Sequence, residues 1–144
     1  MKRALAALAF VVLTCCSRSA VDATPEGAVR AFIERMEASA EDPRALREAY
    51  QLLGPHARAN LKERADRASR GQGRRHEPWE MLAEGRFAMK FRAKRMSAKV
   101  EGDEATVDVR GDGPDEHAAV KCAREGASWR VELELPDVAP SHPR

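Results

Sequence analysis

Residues 86–100 read RFAMKFRAKRMSAKV, and here the hydrophobic period changes from helical to strand-like. Phe87, Met89 and Phe91 alternate with Ala88, Lys90 and Arg92; Met96, Ala98 and Val100 then alternate in the opposite phase. Strict alternation marks a half-buried strand, because successive side chains point to opposite faces. The change of phase requires a bulge, a bend or a break near Lys94, since a one-residue slip turns the apolar set to the other face. Downstream the alternation persists. Gly102-Asp103 turns the chain into Ala105, Val107 and Val109; Gly111-Asp112-Gly113-Pro114 turns it into Ala118, Val120 and Cys122; Glu125-Gly126 turns it into Trp129, Val131, Leu133 and Leu135. Short runs joined by glycine turns predict an antiparallel meander with one wet face.

Upstream the pattern is helical. Thr24-Pro25-Glu26 supplies a cap, a proline for the first helical position and an early acid for the positive helix end. Val29, Phe32, Ile33 and Met36 follow as one stripe. Asp42-Pro43 opens a second helix striped by Leu46, Ala49, Tyr50 and Leu53, which Gly54-Pro55 stops. A third segment, about 56–69, has a thin stripe of Ala57, Leu61, Ala65 and Ala68 among basic residues. Gly71 to His76 reads as a mobile basic loop. Pro78 opens a short turn with Trp79, Met81 and Leu82 inward. Helices first and strands second predict an α+β fold, with N-terminal helices packed on one face of a curved antiparallel sheet.

This order resembles the nuclear-transport-factor-2-like superfamily, and most closely its small bacterial lipoproteins. The resemblance rests on TPEGAVRAFIERM (24–36), ALREAYQLLGPHARANL (45–61) and WRVELEL (129–135). It implies a cone-like domain whose interior serves some members as an active site. No catalytic motif of the superfamily matches residue by residue, so no residue role carries over. A cystatin-like or other helix-on-sheet fold is the second expectation.

The first sixteen residues, MKRALAALAFVVLTCC, are ordered as a secretory signal: Lys2 and Arg3, an apolar run from Ala4 to Leu13, then two cysteines. Ten apolar residues are too few for a bilayer span, which takes about 20. Leu13-Thr14-Cys15-Cys16 resembles the lipobox of bacterial lipoproteins. That implies cleavage before Cys16, with acyl chains on that cysteine; Cys15 is the alternative frame. The expected organisation is a signal at 1–15, a short tether at 16–23, an α+β domain at 24–135 and a proline-containing disordered tail at 136–144. Ser17 after the cysteine implies outer-membrane sorting. A secreted or periplasmic soluble protein is the alternative.

Without Lys2 and Arg3 the chain carries 23 basic and 23 acidic side chains. Neutrality and an export signal together exclude a nucleic-acid partner. The charge is uneven: residues 44–99 hold 15 basic and 6 acidic groups, whereas residues 100–144 hold 5 and 11. Arg58, Lys62, Arg67, Arg70, Arg74 and Arg75 are therefore candidates for contact with anionic envelope lipid or an acidic protein, against the plainer reading of a solvated helix face. Tyr50 and Trp79 are candidates for a pocket, against the plainer reading of packing. His56, His76, His117 and His142 have no metal-ligand spacing, and Cys122 reads as a buried, inert thiol. No metal or cofactor is expected. The leading expectation is a lipid-anchored, non-enzymatic binding domain; an enzyme or small-ligand carrier using the cone interior, and a structural homodimerisation module, are the alternatives.

Overall fold

A computed structural model describes residues 20–84, 87 and 89–136. The signal, Cys15, Cys16, half of the expected tether and all of the expected tail but Pro136 lie outside the described residues. Within them are four helices, α1 (Pro25–Ala38), α2 (Arg44–Gln51), α3 (Pro55–Gln72) and α4 (Glu80–Glu84), then four strands, β1 (Arg95–Glu101), β2 (Glu104–Arg110), β3 (His117–Glu125) and β4 (Ser128–Glu132). The strands form one open antiparallel meander in the order β1-β2-β3-β4. The fold is α+β.

Local rules account for α1. The Thr24 hydroxyl accepts the Gly27 N–H at 3.1 Å, Pro25 takes the first turn, and Val29 and Phe32 are buried. The meander follows the alternation. Val109, Val107 and Ala105 lie opposite Met96, Ala98 and Val100 on one side and opposite Ala118, Val120 and Cys122 on the other. This face carries the helices, and its core includes Leu53, Leu61, Leu82, Val107, Val109, Trp129 and Val131.

Several expectations are corrected. Of the residues described between 87 and 94, none is in a strand. Phe87, Met89 and Phe91 pack partly against the core from an irregular segment, and Phe91 lies over Gly111, at the end of the sheet. Alternation is local, but a strand needs a partner ladder, and this segment crosses the sheet end instead of running beside β1. The final strand stops at Glu132; Leu133 and Leu135 pack partly against the core beyond it. Val100, assigned to the inward row, is 52% exposed, because the helices leave the end of β1 uncovered. The expected basic loop is short: α3 runs through Gly71 and Gln72, Gly73 ends it at φ 69°, and His76 is buried. The His76 N–H donates to Ser69 Oγ at 2.9 Å and its Nε2 lies 3.0 Å from Gln72 Oε1, which fastens the residues after α3 to its last turns.

The two sheet edges differ. Along β4, Trp129 N–H donates to the Asp22 carbonyl, Val131 N–H to the Leu52 carbonyl, and Gly54 N–H to the Val131 carbonyl, at 2.7, 2.8 and 2.8 Å. Leu53 thereby makes a parallel bridge to Val131. The chain's own segments seal that edge. At β1 the Ala98 N–H points away from β2 and donates to a side chain, Glu26 Oε1, at 3.0 Å.

Candidate functional surfaces

Helical geometry divides the basic residues of α3. At 100° per residue, Arg58 and Lys62 lie to one side of the buried Ala57–Leu61–Ala65 stripe, Arg70 lies opposite the stripe, and Arg67 lies about 60° beyond Arg70. Arg58 and Arg70 are about 18 Å apart along the axis. The structure therefore makes a strip of these residues, with carboxylates set into it. Arg58 pairs with Glu125 at 2.7 Å, Lys62 with Asp66 at 2.8 Å, Arg67 with Glu63 at 3.4 Å, Arg74 with Glu80 at 3.7 Å and Arg75 with Glu77 at 3.2 Å. Lys62, with Arg70 and Arg75 contributing, holds the Asp66 carboxyl below its ordinary range. α3 still carries five basic side chains against two acidic ones, so the strip keeps a positive excess.

Tyr50 and Trp79 are brought together, but against one another. Their rings meet edge to face, 6.4 Å between centroids at 68°, and the Arg47 guanidinium covers the Trp79 ring at 4.5 Å. The contact joins α2 to the residue before α4. Four clefts elsewhere on the surface are lined by other side chains.

One of those clefts, about 490 Å³, lies on the outer sheet face beside the β2–β3 loop. Arg95, Arg110 and His117 stand in register across three strands there. Like charges abreast on a sheet repel, and acids offset them: Asp108 pairs with Arg110 at 2.6 Å and Asp112 with Lys94 at 3.4 Å. The Glu116 carboxylate accepts the Asp112 and Gly113 N–H groups at 2.8 and 3.1 Å and so shapes the loop. This row was hidden in the sequence because it depends on pairing register, although the outward phase of each strand carries the signal.

Two further groups complete the picture, Arg130, which only the fold reveals, and Cys122, whose burial the sequence already indicated. Arg130 joins three segments: it pairs with Asp22, and at 3.0 Å with Glu125, which also pairs with Arg58. Arg130 holds the Asp22 carboxyl below its ordinary range, and, helped by Arg58, the Glu125 carboxyl also. Cys122 is 2% exposed. Burial, reinforced by the charges of Glu26 and Glu132, pushes its thiol up to about 12, which leaves it protonated and unreactive at neutral pH.

Among the described residues, no group of three or more His, Cys, Asp or Glu is placed to hold a metal ion, and no helix is long and apolar enough to cross a membrane. No family model, curated protein or solved structure matches the chain.

Proposed function

We propose that this chain is an exported envelope protein, anchored by acyl chains on Cys16 and presenting a small non-enzymatic binding domain close to the membrane surface. The observation that carries the reading is the segment MKRALAALAFVVLTCC, with its basic start, ten-residue apolar run and Leu-Thr-Cys-Cys end. The fold adds a distance. Asp22 is held to β4 by the Trp129 N–H and by Arg130. Five residues separate it from Cys16, and fully extended the six steps span at most about 20 Å. Several acyl chains, at roughly 0.8 kcal/mol per buried methylene, would anchor such a domain firmly.

At that distance, basic side chains gain about 1 kcal/mol each beside anionic head groups. The positive excess of α3, around Lys62 and Arg70, is the surface assigned to this contact. Outer-membrane placement rests on Ser17 after the cysteine. A cone-like domain of the nuclear-transport-factor-2-like kind is the lineage we assign, supported by the order of helices before a meander.

Metabolic labelling with a tagged fatty acid tests the anchor. The full chain should take up label and the Cys16→Ala chain should not. Label that persists in Cys16→Ala but disappears in Cys15→Ala moves the anchor by one residue; an unlabelled wild-type chain removes the proposal.

A further inference from the structure

Among the described residues, no strand pairs with the outer edge of β1. Gly111 N–H donates to the Glu116 carbonyl in the ladder toward β3. In β2, then, Val109, Val107 and Ala105 turn their backbone groups to β3, and Arg110, Asp108, Thr106 and Glu104 turn theirs to β1. The register of β1 on β2 makes Arg95, Ser97, Lys99 and Glu101 the inward-bonding residues. Met96, Ala98 and Val100 are left with N–H and C=O groups facing outward, and the Ala98 N–H to Glu26 contact agrees. Such an edge is a template for another strand.

We propose that β1 pairs antiparallel with β1 of a second copy of this chain, about a two-fold axis at Ala98. The segment RMSAKVE (95–101) is self-complementary in that register. Ala98 meets Ala98, and Met96 meets Val100 on the helix-bearing face, with backbone groups of the right parity for hydrogen bonding. On the outer face Arg95 meets Glu101 at both ends, and Ser97 meets Lys99. A register centred on Ser97 would set Arg95 against Lys99, and one centred on Lys99 would set that lysine against itself. The charges therefore choose the Ala98 axis. An isologous interface demands this kind of self-complementarity.

Two observations favour a second copy over another occupant. The opposite edge, β4, is sealed by Asp22, Leu52 and Gly54, so pairing ends in a closed dimer and cannot extend into a fibre. Val100 is the exposed large apolar residue on this edge, and in the dimer it comes to lie beside Met96. Met96 floors a cleft of about 170 Å³ with Ile33 and Ala93. Glu26 occupies the Ala98 N–H in the single chain, so association displaces a side chain, and Glu26→Ala should tighten the dimer.

The inference does not depend on acylation. Sedimentation equilibrium of the full-length chain in density-matched detergent tests it, because the protein mass is read whether or not lipid is attached. A concentration-dependent dimer is expected. Arg95→Glu and Glu101→Arg should each raise its dissociation constant roughly tenfold, since each places two like-charge pairs across the axis. The double variant Arg95→Glu/Glu101→Arg should restore it. Ala98→Pro should abolish the dimer while leaving the β1–β2 ladder, which does not use that N–H, and circular dichroism should show the fold retained. A monomer at every concentration, a dimer indifferent to Ala98→Pro, or charge variants that the double exchange fails to rescue would overturn the proposal.

Discussion

A Cβ on Gly54 would lie 1.9 Å from Glu132 Oε1. The backbone there, at φ −75°, suits any residue, so it is the carboxylate that demands glycine. Glu132 Oε2 accepts the Ala57 N–H at 3.1 Å and caps α3 from a position 75 residues away. Glu132→Ala should cost about 1 kcal/mol in urea unfolding, the usual value of a helix cap. Gly54→Ala should cost about as much alone, yet become neutral or stabilising once Glu132 has been replaced, because alanine restricts the unfolded chain. Equal costs in both backgrounds would contradict this. The cap could not be read in the sequence, since its partners are adjacent only after folding, whereas the Thr24 cap of α1 was legible from three neighbouring residues. Cys122 gives a second test. With its thiol held up to about 12, alkylation at pH 8 should be at least about a hundredfold slower than in the unfolded chain. The raised thiol also contributes stability that is full below the ordinary thiol range and is lost as pH rises from there through about 12.

At the scale of elements, Arg130 matters most, because it ties the segment before α1 and, through Glu125, α3 to the end of the β3–β4 hairpin. Its side chain is 18% exposed and that of Asp22 is 14% exposed, so Arg130→Ala should cost about 2 kcal/mol at neutral pH. The folded carboxyls of Asp22 and Glu125 lie below their unfolded values. Their contribution is present above the ordinary carboxylate range and is lost as pH falls through the lowered values. Acid unfolding followed by tryptophan fluorescence should therefore be shallower in Arg130→Ala; an unchanged acid limb would count against the coupling. For α3, Lys62→Gln/Arg70→Gln should weaken binding of the non-acylated Cys16→Ser chain to anionic vesicles by about tenfold at low salt. Arg67→Gln, about 140° from Lys62 around the helix and paired with Glu63, should weaken it less. The sequence displayed these residues as one basic run; helical phase spreads them over the solvent side of α3, with acids between them. The segment 87–94 misled in the opposite way, because its alternation was real but no ladder receives it.

The described residues form a helix-on-sheet domain with one sealed edge and one edge on which none of them pairs. The α+β order was legible because the change of period near residue 86 and the glycine turns are both local features. The contrast between the edges was not, since it depends on where Asp22 and the Leu52–Gly54 segment come to lie. The anchor is the central claim. It is tested most directly by the intact mass of the protein recovered from the membrane fraction of cells that produce it. The account predicts a chain beginning at Cys16 and heavier than its 129 residues by a diacylglyceryl group and one further acyl chain. A recovered chain that still begins at Met1, or one cut after the apolar run with no added mass, would contradict it.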